Sequence, residues 1–209
     1  MASWNDRAVT KEHLLPYVDS STAPPDIKAA LQTLPFERNV FKLLANGTVS
    51  FKAFMALLSS MWHEDRKTRP TEWQTAVLRT AATLDCPYEW DVNEPVARVF
   101  GFTEEHLAAL RNTEEQLPEA LFTPRQRLVG RMVGELSGSN RVSLQTMAEA
   151  KATFTDEEVM EIFYTHGVYE FLAKMMNSCR IDFDEPIPGL SDILRKYNAK
   201  AIEREQSLA

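Results

Sequence analysis

Apolar residues recur at helical spacing along the whole chain, and no segment sustains the two-residue alternation of a half-buried strand. Start signals precede the same periodic runs. Pro24-Pro25, Thr71 to Gln74, Pro87, Thr103, Thr123 to Gln126, Ser143 and Thr155 to Glu158 are all of this kind. A chain patterned this way buries helix against helix, so the expected class is all-α. With 209 residues, 44% apolar and 25% charged, it holds enough apolar surface for one substantial core without disulfide or metal support.

The densest signal lies in residues 71–101, a predicted core helical hairpin whose two helices meet at Asp85-Cys86-Pro87. A capping box of Thr71 and Gln74 is expected to open the first helix behind Pro70. Trp73, Val77, Thr80, Ala81 and Leu84 share one of its faces, and Glu72, Ala76, Arg79 and Thr83 another. Pro87 suits the first position of the second helix, Gly101 its end, and Pro95 is expected to kink it. Farther on, Ser50 is a candidate cap for a helix through Phe51, Met55 and Leu58. Thr155 to Glu158 opens the longest helix, striped by Val159, Ile162, Phe163, His166, Tyr169 or Glu170, Ala173 and Met176. Leu190, Ile193, Leu194, Tyr197 and Ile202 predict a final amphipathic helix with a face for another subunit. The expected organisation is a loosely ordered segment over residues 1–23, a domain over 24–187 and a C-terminal helix or tail over 188–209.

A formal net charge of -7, with no run rich in Lys or Arg, argues against a nucleic-acid partner. No apolar run reaches the ~18 residues of a membrane span, and the N-terminus shows no signal-peptide pattern. Two cysteines, Cys86 and Cys179, fit a reducing compartment better than a disulfide framework. A cytoplasmic protein without membrane attachment is the expectation. No histidine pair has metal-ligand spacing, so no metal and no cofactor are expected.

Cys86, Glu89 and Asn93 follow at i, i+3 and i+7, on one helix face. At a helix start the dipole favours a thiolate at Cys86, while the plain alternative is an inert small apolar residue at a cap. Glu72 and Glu89 offer an acid/base pair across the hairpin. Glu72 can equally be a first-turn anion or the partner of Arg79 or Arg98. His166 lies on an apolar stripe, either as a titratable group or as a hydrogen-bonded core residue. Tyr88, Trp90 and Tyr169 are candidate walls of a substrate pocket and Arg79 a candidate carboxylate holder, with core packing and solvation as the alternatives.

At Cys86-Pro-Tyr-Glu-Trp90 the sequence resembles the carboxymuconolactone decarboxylase family, of the alkylhydroperoxidase D-like superfamily, in its branch with a Tyr-Glu-Trp motif. The resemblance extends from NVFKLLA at Asn39–Ala45 through FTPRQRLVGRMVGEL at Phe122–Leu136 to FTDEEVMEIFYTHGVYEFLAKMMNS at Phe154–Ser178. By position, Glu72 matches the family's helix-start glutamate. Cys86 matches the first cysteine of the peroxidase branch's Cys-x-x-Cys, Glu89 the second, and Asn93 the usual His. The resemblance implies an alkylhydroperoxidase D-like helical fold and a homo-oligomer, trimer or hexamer. It implies a cofactor-free enzyme acting on a small oxygenated ring compound, carboxylate-bearing or enolisable. The reaction would be decarboxylation or a proton-transfer isomerisation or cyclisation, in a catabolic or natural-product pathway. Substituting Glu89 and Asn93 for Cys and His weakens both a disulfide cycle and a histidine proton carrier. A catalytically inactive binding or assembly protein, and more remotely a thiol peroxidase, are the alternatives.

Overall fold

The structure, a computed structural model, describes residues 12–33 and 36–208. Among these residues there are eleven helices and no strand, the all-α class expected. The chain divides into two compact units. One runs up to His63 and takes in Met175–Pro188; the other comprises Glu64–Lys174 and Gly189–Ala209.

The first unit holds α1 (Pro25–Leu31), α2 (Asn39–Leu44) and α3 (Thr48–Ser60). Pro25 starts α1 at the position where a missing N–H goes unnoticed. Ile27 and Leu31 of α1 are buried, as are Phe51, Met55 and Leu58 of α3, which packs against it. Ser50 does not cap α3. The helix begins at Thr48 behind Gly47, which places Ser50 inside the first turn. Of the segment expected to be loosely ordered, residues 1–11 lie outside the described residues, and residues 12–23 form no helix. Residues 12–18 are nevertheless held. Leu14 N–H donates to the Cys179 carbonyl at 2.9 Å, His13 Nδ1 meets Asp182 Oδ2 at 2.7 Å, and Tyr17 Oη donates to the same carboxylate at 3.2 Å.

The second unit is built around α4 (Pro70–Thr83). Against it pack α5 (Pro87–Val99), α6 (Glu104–Arg111), α7 (Pro124–Ser139) and α11 (Ala199–Ser207). Every residue of α4 from Glu72 to Ala81 is buried. Ala76 joins Leu128, Val129, Met132 and Val133 of α7 in the core. Ala150 of α8 (Leu144–Thr153), the following Phe154, and Val159 and Ile162 of α9 (Asp156–Cys179) complete that core.

The caps at Thr103, Thr123 and Ser143 form where the sequence placed them. The box on α4 does not. Helix α4 starts at Pro70, so the third position is Glu72. Its Oε2 accepts the Arg69 N–H at 3.0 Å, and Gln74 is turned wholly inward. The C-terminal region also departs from expectation, forming two helices, α10 (Leu190–Tyr197) and α11, that meet at Asn198. Helix α10 packs on α5 and α11 on α4 of the same chain. Their Leu194 is 3% exposed.

The hairpin turn is tight. Asp85 takes a left-handed φ of 47°, Asp85 N–H donates to Ala82 O at 3.2 Å, and Cys86 N–H to Ala81 O at 2.9 Å. This is a Schellman closure made by an aspartate instead of glycine. Cys86 then serves as the N-cap residue of α5, with Pro87 behind it at the first helical position. Helix α5 continues through Pro95 without a break in assignment.

Candidate functional site

Glu89 occupies the first turn of α5 and is 1% exposed. Among the described residues neither of its carboxyl oxygens has a hydrogen-bond partner. A charge there would have to be stripped of water with nothing to replace it, so burial pushes the Glu89 carboxyl well above the usual carboxylate range. The helix dipole favours the anion by only ~1 kcal/mol at most exposed sites, and it does not reverse this. Burial thus favours the protonated form of Glu89.

Two groups sense it. Tyr169 of α9 has its hydroxyl pKa raised, first by burial and then by Glu89. Cys86, one turn before Glu89, is 0% exposed, and burial followed by Glu89 pushes its thiol upward. The dipole-favoured thiolate expected at Cys86 is thus not what the structure gives, because desolvation outweighs the helix start. Tyr169 meets the Trp73 ring edge-on, with centroids 6.4 Å apart. Arg66 lies over the other reach of that indole at 5.4 Å, and burial lowers its pKa to about 10.

His166 lies one turn before Tyr169 on α9 and is 4% exposed. Its Nδ1 is 3.1 Å from Thr80 Oγ1 of α4. Its Nε2 is buried without a hydrogen-bond partner, and Glu170 Oε2 stands 3.7 Å from it. Burial lowers the imidazole pKa, with Glu170 opposing. His166 is accordingly a neutral base.

The other residues singled out in the sequence are placed elsewhere or otherwise engaged. Both oxygens of Glu72 are taken up by Arg125, at 2.5 and 3.2 Å, which occupies the carboxylate expected as the acid/base partner of Glu89. Arg79 is turned toward the end of α6 and the loop beyond. It donates to the carbonyls of Asn112 at 2.7 Å and Glu115 at 2.8 Å, and reaches those of Leu110 and Thr113. A guanidinium so occupied holds chain, not a substrate carboxylate. Trp90 Nε1 donates to Glu94 at 2.7 Å, and Arg111 covers its ring at 4.5 Å. Asn93 donates its amide back to the Glu89 carbonyl at 2.8 Å, a bond within the helix. Tyr88 is 3% exposed.

The structure adds two residues to the sequence candidates. Thr80 lies on an apolar face, where its hydroxyl is the only signal in the sequence. Gln74, placed by the sequence in a capping box, is 0% exposed, and its carboxamide has no hydrogen-bond partner among the described residues. Among those residues no group of three or more His, Cys, Asp or Glu is arranged to hold a metal ion, and no helix is long and apolar enough to cross a membrane.

No family model matches the chain, and no curated protein matches it by sequence. Solved structures do. A peroxidase-related protein with an AhpD core from Ralstonia eutropha JMP134 superposes with a TM-score of 0.71 at 19% identity, covering 88% of this chain and 97% of its own. A peroxidase-related protein from Silicibacter sp. TM1040 gives 0.68 at 14% identity, covering 90% and 98%. The debrominase Bmp8, as a cysteine-to-alanine variant in complex with 2,3,4-tribromopyrrole, gives 0.58 at 14% identity, covering 94% and 100%. At such identities the likeness speaks for the backbone, and the chain has the AhpD-like helical fold.

Proposed function

We propose that the protein is a cofactor-free enzyme that moves protons on a small oxygenated ring compound, by decarboxylation or by isomerisation or cyclisation. The observation that carries this reading is the Glu89 carboxyl, sealed in the core without a partner and pushed by burial toward its protonated form. Leaving a buried polar group unpaired costs about 1–3 kcal/mol, and such groups are retained where chemistry uses them. A neutral acid donates to the substrate's carbonyl oxygen as negative charge develops there, whether a C–H proton or carbon dioxide is leaving. His166, neutral and with an unpartnered ring nitrogen, supplies the base. Acid and base pKa values displaced in opposite directions suit one site working near pH 7.

The ring substrate is supported by the aromatic surround of Trp73 and Tyr169. It is also supported by the brominated pyrrole held by the debrominase of like fold. Thiol chemistry at Cys86 is disfavoured, because its buried thiol resists ionisation. A second reading, a binding protein without turnover, draws on the engagement of Glu72 with Arg125 and of Asn93 with its own helix.

The test is a panel of carboxylated ring lactones, enolisable ring ketones and bromopyrroles in deuterated water. It is read by carbon dioxide release and by deuterium in the recovered compound. Wild-type protein is expected to act on one class. Glu89→Gln is expected to lose that activity with an unchanged far-ultraviolet circular dichroism spectrum. Full activity in Glu89→Gln would overturn the enzymatic reading of Glu89, and ligand binding without turnover would favour the second reading.

A further inference from the structure

The hydrogen bonds around Thr80 determine which nitrogen of His166 carries its lone pair. Thr80 Oγ1 has one proton and donates it to the Ala76 carbonyl at 2.8 Å. Toward His166 Nδ1, 3.1 Å away, the hydroxyl oxygen can then only accept. Nδ1 must be the donor, and in a neutral imidazole the lone pair falls on Nε2. Nε2 is the ring atom left buried without a hydrogen-bond partner. Glu170 Oε2 stands 3.7 Å from it, just beyond hydrogen-bonding range. Glu170 Oε1 accepts from Lys174 Nζ at 2.9 Å. His166, Glu170 and Lys174 are spaced four residues apart on α9, so they line one face. Their side chains are 5%, 24% and 65% exposed in that order.

We propose that Thr80 is a positioning residue that sets His166 as a base on Nε2, and that Glu170 carries protons between that nitrogen and water. The proposal rests on the reading of His166 as the site's base. In the forward step the Nε2 lone pair takes the substrate's C–H proton. The C–H electron pair moves into the ring as an enolate, whose oxygen receives the Glu89 proton. The imidazolium returns its proton to another ring carbon as Glu89 recovers the one on oxygen. While the imidazolium persists, Glu170 takes the Nε2 proton and water replaces it, which admits solvent hydrogen to the product. The charged groups acting on His166 are Glu170 and Lys174, both from α9; helix α4 offers it the Thr80 hydroxyl.

Nitrogen-15 NMR of the histidine rings in the full-length protein, without substrate, tests this directly. Wild type and Thr80→Ser are expected to show His166 protonated on Nδ1. Thr80→Val is expected to lose that preference. Glu170→Gln is expected to lower the His166 pKa, because Glu170 favours the imidazolium. A wild-type ring protonated on Nε2, an unchanged tautomer in a folded Thr80→Val, or an unchanged His166 pKa in Glu170→Gln would each overturn the proposal. The wild-type spectrum decides the tautomer even if Thr80→Val fails to fold. Because these signals need no turnover, their failure is distinct from retained activity in Glu89→Gln, which would remove the acid instead.

Discussion

Arg125 donates through Nε to Glu72 Oε1 at 2.5 Å and through Nη2 to Glu158 Oε1 at 2.5 Å, so one guanidinium joins the starts of α4 and α9 from α7. The pair is lopsided in burial, with the Glu72 side chain 1% exposed and that of Arg125 30%. The two carboxylates hold the Arg125 guanidinium above its usual pKa. Glu72→Gln removes the buried charge and leaves Arg125 with Glu158 alone. Solvent reaching Arg125 screens part of the loss, so a decrease of about 1–3 kcal/mol in unfolding free energy is expected, below the ~3–5 kcal/mol of a fully buried pair. Urea denaturation measures it. A stability unchanged within error would show that the triad contributes nothing.

Glu89 ties stability to pH. Its folded-state pKa lies above the 4.5 of the free side chain, so above pH 4.5 the native state binds a proton that the unfolded state has released. Stability from this group is full below that pH and falls as pH rises toward the folded-state pKa, by up to ~1.4 kcal/mol per pH unit. Wild type is expected to weaken as the pH rises above 4.5, and Glu89→Gln to flatten that slope. Glu89→Leu removes two unpaired acceptors and is expected to gain about 1–3 kcal/mol at the upper end. Parallel slopes in wild type and Glu89→Gln would contradict a carboxyl kept neutral by burial.

The Cys86 thiol should be silent in the native state. It is 0% exposed and its ionisation is suppressed. Alkylation followed by peptide mass spectrometry is expected to leave Cys86 unmodified in folded protein and to modify it after denaturation. Rapid native labelling at Cys86 would show an accessible thiolate and restore thiol chemistry to consideration.

Arg79 anchors the chain beyond α6 through backbone carbonyls, with Asn112 at 2.7 Å and Glu115 at 2.8 Å as the shortest contacts. Arg79→Met keeps much of the apolar stem but strands these acceptors. A loss of about 2–3 kcal/mol is expected, since bonds to a charged donor contribute more than neutral ones. Hydrogen exchange should accelerate over residues 109–115 and leave α9 protected. Unchanged exchange in that loop would place the restraint elsewhere.

The sequence by itself determined the helical class and most of the helix starts. Pro24-Pro25, Thr103, Thr123 with Gln126, and Ser143 act within one turn of their own position, so their effect is written in neighbouring residues. The hairpin was legible for the same reason: Asp85, Cys86 and Pro87 close it locally. Only the tertiary structure decided which polar groups are engaged and which are left alone. Glu72 meets an arginine 53 residues away, and Thr80 a histidine 86 residues away. Gln74, half of a capping box in the sequence, and Glu89 are instead buried without hydrogen-bond partners among the described residues. Periodicity shows that a face is buried but not what lies opposite it. A carboxyl's charge depends on what lies opposite, because the desolvation that favours the protonated form of Glu89 is a property of the packed core.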